Sequence, residues 1–516
     1  MINACNLPEK FNAADYFVDR NIREGRGNKV AVICEDRRFT YEQIRSGMNQ
    51  VGNALAASGV RMEDRVALML LDTEIYPQAF FGAIKLGAVP ICLNTLMRAK
   101  DYTYYLNDSR ARLLLVDASL LTLIQGIRKD LLYLEKIVVI NGEADAGHVT
   151  FEDFIKDQPG KMQPAATSPD DACFWLYSSG STGQPKGTVH LQHDMVFAAE
   201  TYGRQVLKVQ ENDVCFSAAK LFFAYGLGNG LYFPFSVGGT AVYMPQWPTP
   251  KLIYDTIARH QPTIFFGVPT LYGAMLAQKE GDLGRVHICV SAGEALPADI
   301  MARWHKRFGV QILDGIGSTE ICHIFISNCR DEVRPGCTGK LVPGYEARIV
   351  DENFNDVAYG EIGTLLIKGD SIASCYWNKH EKTKQTMLGD WINTDDKFFK
   401  DEEGYFYYVG RSNDMLKVGG IWVSPVEVEA CLIGHEAVRE CAVVGWPDEG
   451  NMIKPKAYVV LNDGMTVSVE LEKELKDYVK NTLAHYKYPR WIEFVDELPK
   501  TATGKIKRFE LSKRAS

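Results

Sequence analysis

A chain of 516 residues is long enough to bury a large core and should divide into at least two domains. Hydrophobic residues make up 46% and charged residues 24%, and the net charge of -8 with no basic block in the bulk of the chain argues against nucleic acid as the main partner. Twelve cysteines without a Cys-x-x-Cys pair offer no metal or redox motif and fit a reducing cytoplasm. Neither a secretory signal nor an apolar run of ~18 residues is visible, so no membrane insertion is expected.

Taken in order, Lys29-Val-Ala-Val-Ile-Cys34 alternates as a strand. Thr40 followed three residues later by Gln43 is a capping-box pattern, and it predicts an amphipathic helix to Ala57. A strand at Arg65-Val-Ala-Leu-Met-Leu-Leu71, a helix over about 75–86 and a strand within Gly87-Ala-Val-Pro-Ile-Cys-Leu93 give the rhythm of a parallel sheet. Next, Cys173-Phe-Trp-Leu-Tyr177 reads as a buried strand and Asp194-Met-Val-Phe-Ala-Ala-Glu200 as a helix.

Between these two lies Tyr177-Ser-Ser-Gly-Ser-Thr-Gly-Gln-Pro-Lys-Gly187. Its glycines allow backbone N–H groups to face an anion, its hydroxyls donate to phosphate oxygens, and Lys186 supplies a point charge. The loop is predicted to hold a polyphosphate. It is not a Walker A loop, because Lys186 is preceded by Pro185 and followed by Gly187.

Three later strands each run into a glycine-bearing loop: Thr263-Ile-Phe-Phe-Gly-Val-Pro269, His287-Ile-Cys-Val-Ser-Ala-Gly-Glu294 and Gln311-Ile-Leu-Asp-Gly-Ile-Gly-Ser-Thr-Glu320. Ligands of open α/β sheets lie beyond the carboxyl ends of strands, so these ends and the 177–187 loop are expected to enclose one nucleotide. Near residue 412 the chain turns polar and glycine-rich. Short strands over 440–445 and 457–461 and a charged helix over 470–484 then predict a small α+β domain on a hinge. The basic residues of the last twenty read as a solvated end.

The 177–187 loop resembles the phosphate loop of the adenylate-forming superfamily of acyl- and aryl-CoA ligases, peptide-synthetase adenylation domains and firefly luciferase. Further motifs extend the resemblance over nearly the whole chain. It implies a large N-terminal α/β domain (1–412) with mostly parallel sheets flanked by helices. A small, mobile α+β C-terminal domain (413–516) would carry the catalytic lysine. ATP would be held by Ser178, Ser179, Gly180, Ser181, Thr182, Gly183 and Lys186 of the loop, by Gly293 and Glu294, and by Asp314, Gly315, Ile316, Gly317 and Thr319, with Glu320 as the Mg²⁺ ligand. Mg²⁺ suits one or two carboxylates plus phosphates and water. Ile316 stands where relatives often have an aromatic residue.

Trp391-Ile-Asn-Thr-Asp-Asp396 resembles the ribose-binding motif, which places that role on Asp396, with Asp395 where the pattern has glycine. Gly410-Arg411 resembles the motif whose arginine also reaches ribose; two positions on, the neutral Asn413 occupies a hinge position that is commonly charged. Pro499-Lys-Thr-Ala-Thr-Gly-Lys-Ile-Lys-Arg508 resembles the catalytic-lysine motif and assigns Lys505. Lys417 is a second candidate. Val418, Gly419 and Gly420 would line the CoA channel.

For the acid, Lys220-Leu-Phe-Phe-Ala-Tyr-Gly-Leu-Gly-Asn-Gly230 and Ser318-Thr-Glu-Ile-Cys-His-Ile-Phe325 resemble benzoate–CoA ligases. Phe223, Ala224, Tyr225, Gly226, Ile316, Gly317 and His323 would border the ring or its carboxylate. No acidic residue occurs between Leu221 and Phe235 to pair with an ammonium group, which disfavours amino acids. The implied reaction joins benzoate, ATP and CoA into benzoyl-CoA, AMP and diphosphate through a benzoyl-adenylate. A substituted benzoate, an alicyclic acid of the cyclohexene carboxylate type, and a free-standing aryl-acid enzyme that loads a carrier protein stay open as alternatives. A nucleotide switch that releases ADP is disfavoured by the loop spacing, and an inactive binding protein by the joint presence of Lys186, Glu320, Asp396, Arg411 and Lys505. A homodimer is the expectation on base rates alone.

Overall fold

The computed structural model describes residues 6–143, 147–178, 184–412, 414–418, 421–448, 452–500 and 506–512, with backbone alone for Lys417, Ile421 and Trp422. Among these residues an eight-stranded and a nine-stranded sheet form the scaffold. The eight-stranded sheet runs, in spatial order, Cys375–Tyr376, Lys186–Leu191, Ala172–Ser178, Val89–Cys92, Arg65–Met69, Leu113–Asp117, Lys136–Ile140, Val149–Thr150. The centre of the nine-stranded sheet is parallel: Ile312–Gly317, Ile288–Ser291, Ile264–Gly267, Val214–Ser217 and Thr240–Tyr243. These strands are continuous apolar runs because helices cover both faces.

One core cluster unites inward residues of both sheets with helices Tyr41–Ala57 and Ile75–Leu86. Helices Pro250–His260, Pro269–Ala277 and Ala298–Phe308 cover the far face of the nine-stranded sheet. The predicted capping box forms: Gln43 N donates to Thr40 Oγ1 at 3.3 Å, and Thr40 N donates to Gln43 Oε1 at 2.8 Å. The helix over 75–86 ends where predicted, on Gly87 at φ 83°.

Between the 177–187 loop and the helix expected from Asp194 the structure adds an element that the sequence reading lacks. The chain leaves the loop as a strand, Lys186–Leu191, antiparallel to Ala172–Ser178, and the helix then begins at Asp194 as expected. The adjacent β-branched Thr188 and Val189 suit this largely buried ladder. The loop is therefore a hairpin connection that fixes Ser178 and Lys186 opposite each other in register.

A five-stranded sheet built around Trp391–Lys400 and Phe406–Arg411 carries the ribose motif. Against Gly363–Lys368 the register slips between Asn393 and Lys397. Within that bulge Asp395 sits at φ 59°, the left-handed region that glycine prefers and aspartate tolerates. Asp395 thus holds a backbone conformation that glycine takes freely, and beyond the bulge Asp396 pairs with Arg411.

Beyond residue 413, strands Val438–Pro447 and Ile453–Leu461 form a long antiparallel pair, with Trp491–Phe494 parallel beside it. Both strands are longer than predicted, because charged residues at their ends still pair. Helices Pro425–Ile433 and Val469–Thr482 close this separate core.

Candidate active site

The site is assembled at the carboxyl ends of the central strands. Strand Ile312–Gly317 leads into one continuous segment, 314–323, that carries several of the predicted residues. Asp314 comes first. It is buried, which pushes its carboxyl well above the ordinary range, and its Oδ1 has no partner among the described residues. An amino group such as that of a nucleobase is the kind of donor such an atom accepts.

Glu320 comes next. Its Oε1 accepts from Ser178 Oγ at 2.9 Å and from Tyr376 OH at 2.9 Å, and lies 3.8 Å from Lys186 Nζ. Burial works against its ionisation, but Lys186 and the Tyr376 and Ser178 hydroxyls together outweigh that and hold the carboxyl below its ordinary value. Burial likewise lowers the Lys186 ammonium, with Glu320 working in the opposite direction. The pair puts a cation and an anion side by side, as a metal-bearing polyphosphate requires. The preceding turn is braced from below: His190 Nε2 lies 2.7 Å from Thr319 O, and His190 Nδ1 lies 2.6 Å from Asp194 Oδ2, both side chains fully buried.

His323 ends the segment. The His323 amide donates to Ile321 O at 2.9 Å around Cys322, whose φ of 70° and ψ of -43° make this the strained form of the γ-turn. The turn seats the imidazole against Tyr225, with ring centroids 5.7 Å apart and Nε2 3.2 Å from Tyr225 O. Burial pushes the His323 imidazole down to about 3. The ring is therefore neutral at physiological pH. Tyr225 OH lies within hydrogen-bond distance of Gly267 O and Val290 O, so its polar end is satisfied away from the slot. Phe223, Ala224 and Ile316 complete an apolar wall of partly buried side chains.

Gly226 and Gly228 stand where a side chain would not fit. A Cβ on Gly226 would lie 2.0 Å from Lys220 O, and one on Gly228 would lie 2.3 Å from His323 Cδ2. A Cβ on Gly317 would meet His323 O at 2.6 Å, and one on Gly315 would meet Ile326 O at 3.0 Å. Gly293, at φ 94°, turns the chain beside Glu294 at the exit of strand Ile288–Ser291.

Across strands Trp391–Lys400 and Phe406–Arg411, Arg411 Nε lies 3.1 Å from Asp396 Oδ1, and Arg411 NH1 donates to Thr394 O at 2.8 Å. Asp396 raises the Arg411 pKa further. Of the remaining predicted residues, Val418 is buried on strand Leu416–Val418. Ser179, Gly180, Ser181, Thr182, Gly183, Gly419, Gly420 and Lys505 lie outside the described residues, as does the side chain of Lys417. Tyr376 escaped the sequence reading. Nothing in Cys375-Tyr-Trp-Asn378 marks it; strand pairing with Lys186–Leu191 and the hydrogen bond from Ala373 N to Glu320 O bring it to Glu320.

Residues 18–377 match the AMP-binding enzyme family, and residues 427–505 match the AMP-binding enzyme C-terminal domain. The chain is 52% identical over 514 residues to a benzoate–CoA ligase of Thauera aromatica, covering 98% of this chain and 97% of the relative. It is 44% identical to a 4-hydroxybenzoate–CoA/benzoate–CoA ligase of Rhodopseudomonas palustris, over 97% and 94% of the two chains. Among solved structures, an anthranilate CoA ligase in complex with anthranoyl-AMP superposes with a TM-score of 0.97 at 46% identity, over 100% of this chain and 99% of the other. A benzoate CoA ligase from Burkholderia xenovorans LB400 follows with a TM-score of 0.90 at 45% identity, over 97% and 99%. With a family match over residues 18–377 and a relative 52% identical over nearly the full length, the chain belongs to the AMP-binding, adenylate-forming enzyme family.

Proposed function

We propose that the protein is an ATP-dependent aryl-CoA ligase acting on benzoate. One observation carries the reading. Segment 314–323 links an orphaned buried acceptor (Asp314), a charged pair (Glu320 with Lys186) and a neutral aromatic slot (His323 with Tyr225) in ten residues. Adenine, polyphosphate and an uncharged ring would then lie in sequence along one backbone, with the ring's carboxylate presented to the α-phosphate. The resemblance to benzoate- and hydroxybenzoate–CoA ligases supports the substrate class.

In the first half-reaction a carboxylate oxygen attacks the α-phosphorus and diphosphate leaves, giving the acyl-adenylate. Mg²⁺, held through Glu320, would neutralise charge on the polyphosphate, and a carboxylate kept ionised beside Ser178 fits that cation. Asp396 and Arg411 would grip the ribose. Lys505 would bridge the two anions as they approach and stabilise the added charge. The segment beyond 413 would then rotate and bring Val418, Gly419, Gly420 and Lys417 to the site. The CoA thiol would attack the acyl carbon and release AMP. A cytoplasmic setting and a homodimer belong to the same reading; no helix among the described residues is long and apolar enough to cross a membrane.

The deciding experiment is product identity. With Mg²⁺, ATP, CoA and a panel of aromatic, alicyclic and short aliphatic acids, AMP, diphosphate and benzoyl thioester are expected to form fastest with benzoate. AMP without thioester identifies a carrier-protein loader instead, and ADP, or no turnover, overturns the ligase reading. A pH series adds a second check. His323 is uncharged above about 3, so kcat/KM for benzoate should show no inflection from it between pH 5.5 and 8.5. An inflection in that range that disappears in His323→Asn would contradict the assignment of a neutral wall.

A further inference from the structure

We propose that Tyr376 is a positioning residue for the polyphosphate end of the site: its hydroxyl fixes one oxygen of Glu320 while its ring seats Lys186, keeping the second carboxylate oxygen available to a nucleotide-borne divalent cation. The inference rests on the nucleotide site proposed above.

Lys186 and Glu320 come from different sheets. Lys186 opens a strand of the eight-stranded sheet, and the Glu320 turn follows a strand of the nine-stranded one. Segment 371–377 is bonded to both. Ser371 Oγ donates to Ile321 O at 2.8 Å and Ala373 N to Glu320 O at 2.8 Å. On the other side Ser374 N donates to Val189 O at 2.9 Å and Trp377 N to Gly187 O at 2.8 Å. Tyr376 lies between these anchors. Its hydroxyl reaches Glu320 Oε1 at 2.9 Å, and its ring centroid is 4.2 Å from Lys186 Nζ.

A tyrosine suits this place for three reasons. Its O–H donates to the carboxylate, its face attracts the ammonium, and it adds no charge that would compete with a metal. Burial, followed by Glu320, drives its pKa far above the ordinary phenol value, so it remains a donor. Because the Tyr376 and Ser178 hydroxyls converge on Oε1, Oε2 has no hydroxyl partner among the described residues. At 3.8 Å, Lys186 stops short of a close ion pair with Glu320. Without the phenol, the ammonium is free to close on the carboxylate and occupy the cation's place.

The test is equilibrium binding of ATP by calorimetry, with and without Mg²⁺, which needs neither acid nor turnover. Tyr376→Phe keeps the ring and removes one hydrogen bond to a charged group; it is expected to weaken Mg²⁺-ATP binding about tenfold or more. Metal-free ATP should change less than about threefold, since that hydrogen bond serves the metal. In a Glu320→Gln background the same substitution should add no further loss, because its partner charge is gone. Tyr376→Leu, which removes the ring as well, should also weaken metal-free ATP, by about threefold to tenfold. A thermal unfolding midpoint of Tyr376→Phe within a few degrees of wild type shows that the fold is intact.

Equal losses with and without Mg²⁺, an undiminished loss in the Glu320→Gln background, or no loss at all would overturn the proposal. Unchanged metal-free binding in Tyr376→Leu would overturn the seating of Lys186. If instead no aromatic acid yields AMP while the binding pattern holds, the ligase reading fails and the role of Tyr376 stands.

Discussion

Lys505→Ala is expected to lose adenylate formation by at least about 10²–10³-fold while thioester formation from preformed benzoyl-adenylate changes little. The first half-reaction drives a carboxylate onto a phosphate, two anions whose approach needs a cation, whereas the second attacks a neutral acyl carbon. Residue 505 itself lies outside the described residues, but both flanks of its stretch are pinned. Lys500 bridges to Ile506, and Lys507 N donates to Pro499 O at 2.8 Å. Lys500 pairs with Glu440 at 2.7 Å, and Arg508 pairs with the buried Glu429 at 2.7 Å. Such pairs tie the two flanks to strand Val438–Pro447 and helix Pro425–Ile433. Isotope exchange between diphosphate and ATP reads the first half-reaction, and thioester formation from synthetic adenylate reads the second. Equal losses in both, or none in exchange, would remove Lys505 from the proposed role.

The second large effect is expected at Gly226→Ala. The added methyl meets two backbone carbonyls, Lys220 O at 2.0 Å and Ala219 O at 2.5 Å, so no side-chain rotation relieves the clash. The turn from Lys220 into helix Ala224–Leu227 must open, at a cost of about 1–3 kcal/mol or more. The same movement displaces Phe223, Ala224 and Tyr225, so kcat/KM for the aryl acid should fall more than about tenfold, chiefly through KM, since a displacement near 1 Å suffices for such losses. Gly273→Ala is the matched control. That glycine lies inside helix Pro269–Ala277, where the new methyl meets Ile300 Cδ1 at an ordinary 3.5 Å. Alanine there should stabilise by up to about 1 kcal/mol and leave the kinetics alone. Thermal melts and benzoate kinetics of the two variants decide the point; a Gly226→Ala enzyme with wild-type KM would show that the slot is not built on this turn.

Much of this architecture is local, and so it is readable along the chain. The helix from Tyr41 starts on a capping box and the helix to Leu86 stops on a glycine, because those signals act over three or four residues. Apolar runs mark strands whose two faces are covered, and the glycine-bearing strand ends mark where the chain must turn at a ligand. Even the exchange of glycine for Asp395 was accommodated within its own bulge, since aspartate tolerates the left-handed backbone found there.

Local signals along the chain show which residues carry charge, hydroxyl or aromatic chemistry, and in which elements they lie. Which of them meet depends on how the sheets pack. The strand after the phosphate loop was not legible because its ladder partners lie on either side in space: Ala172–Ser178 before it and Cys375–Tyr376 some 190 residues later in the chain. That second pairing brings Tyr376 to Glu320, and no local signal announces it. The neutrality of His323 has the same origin, because an imidazole's charge is set by the burial around it rather than by its neighbours in sequence.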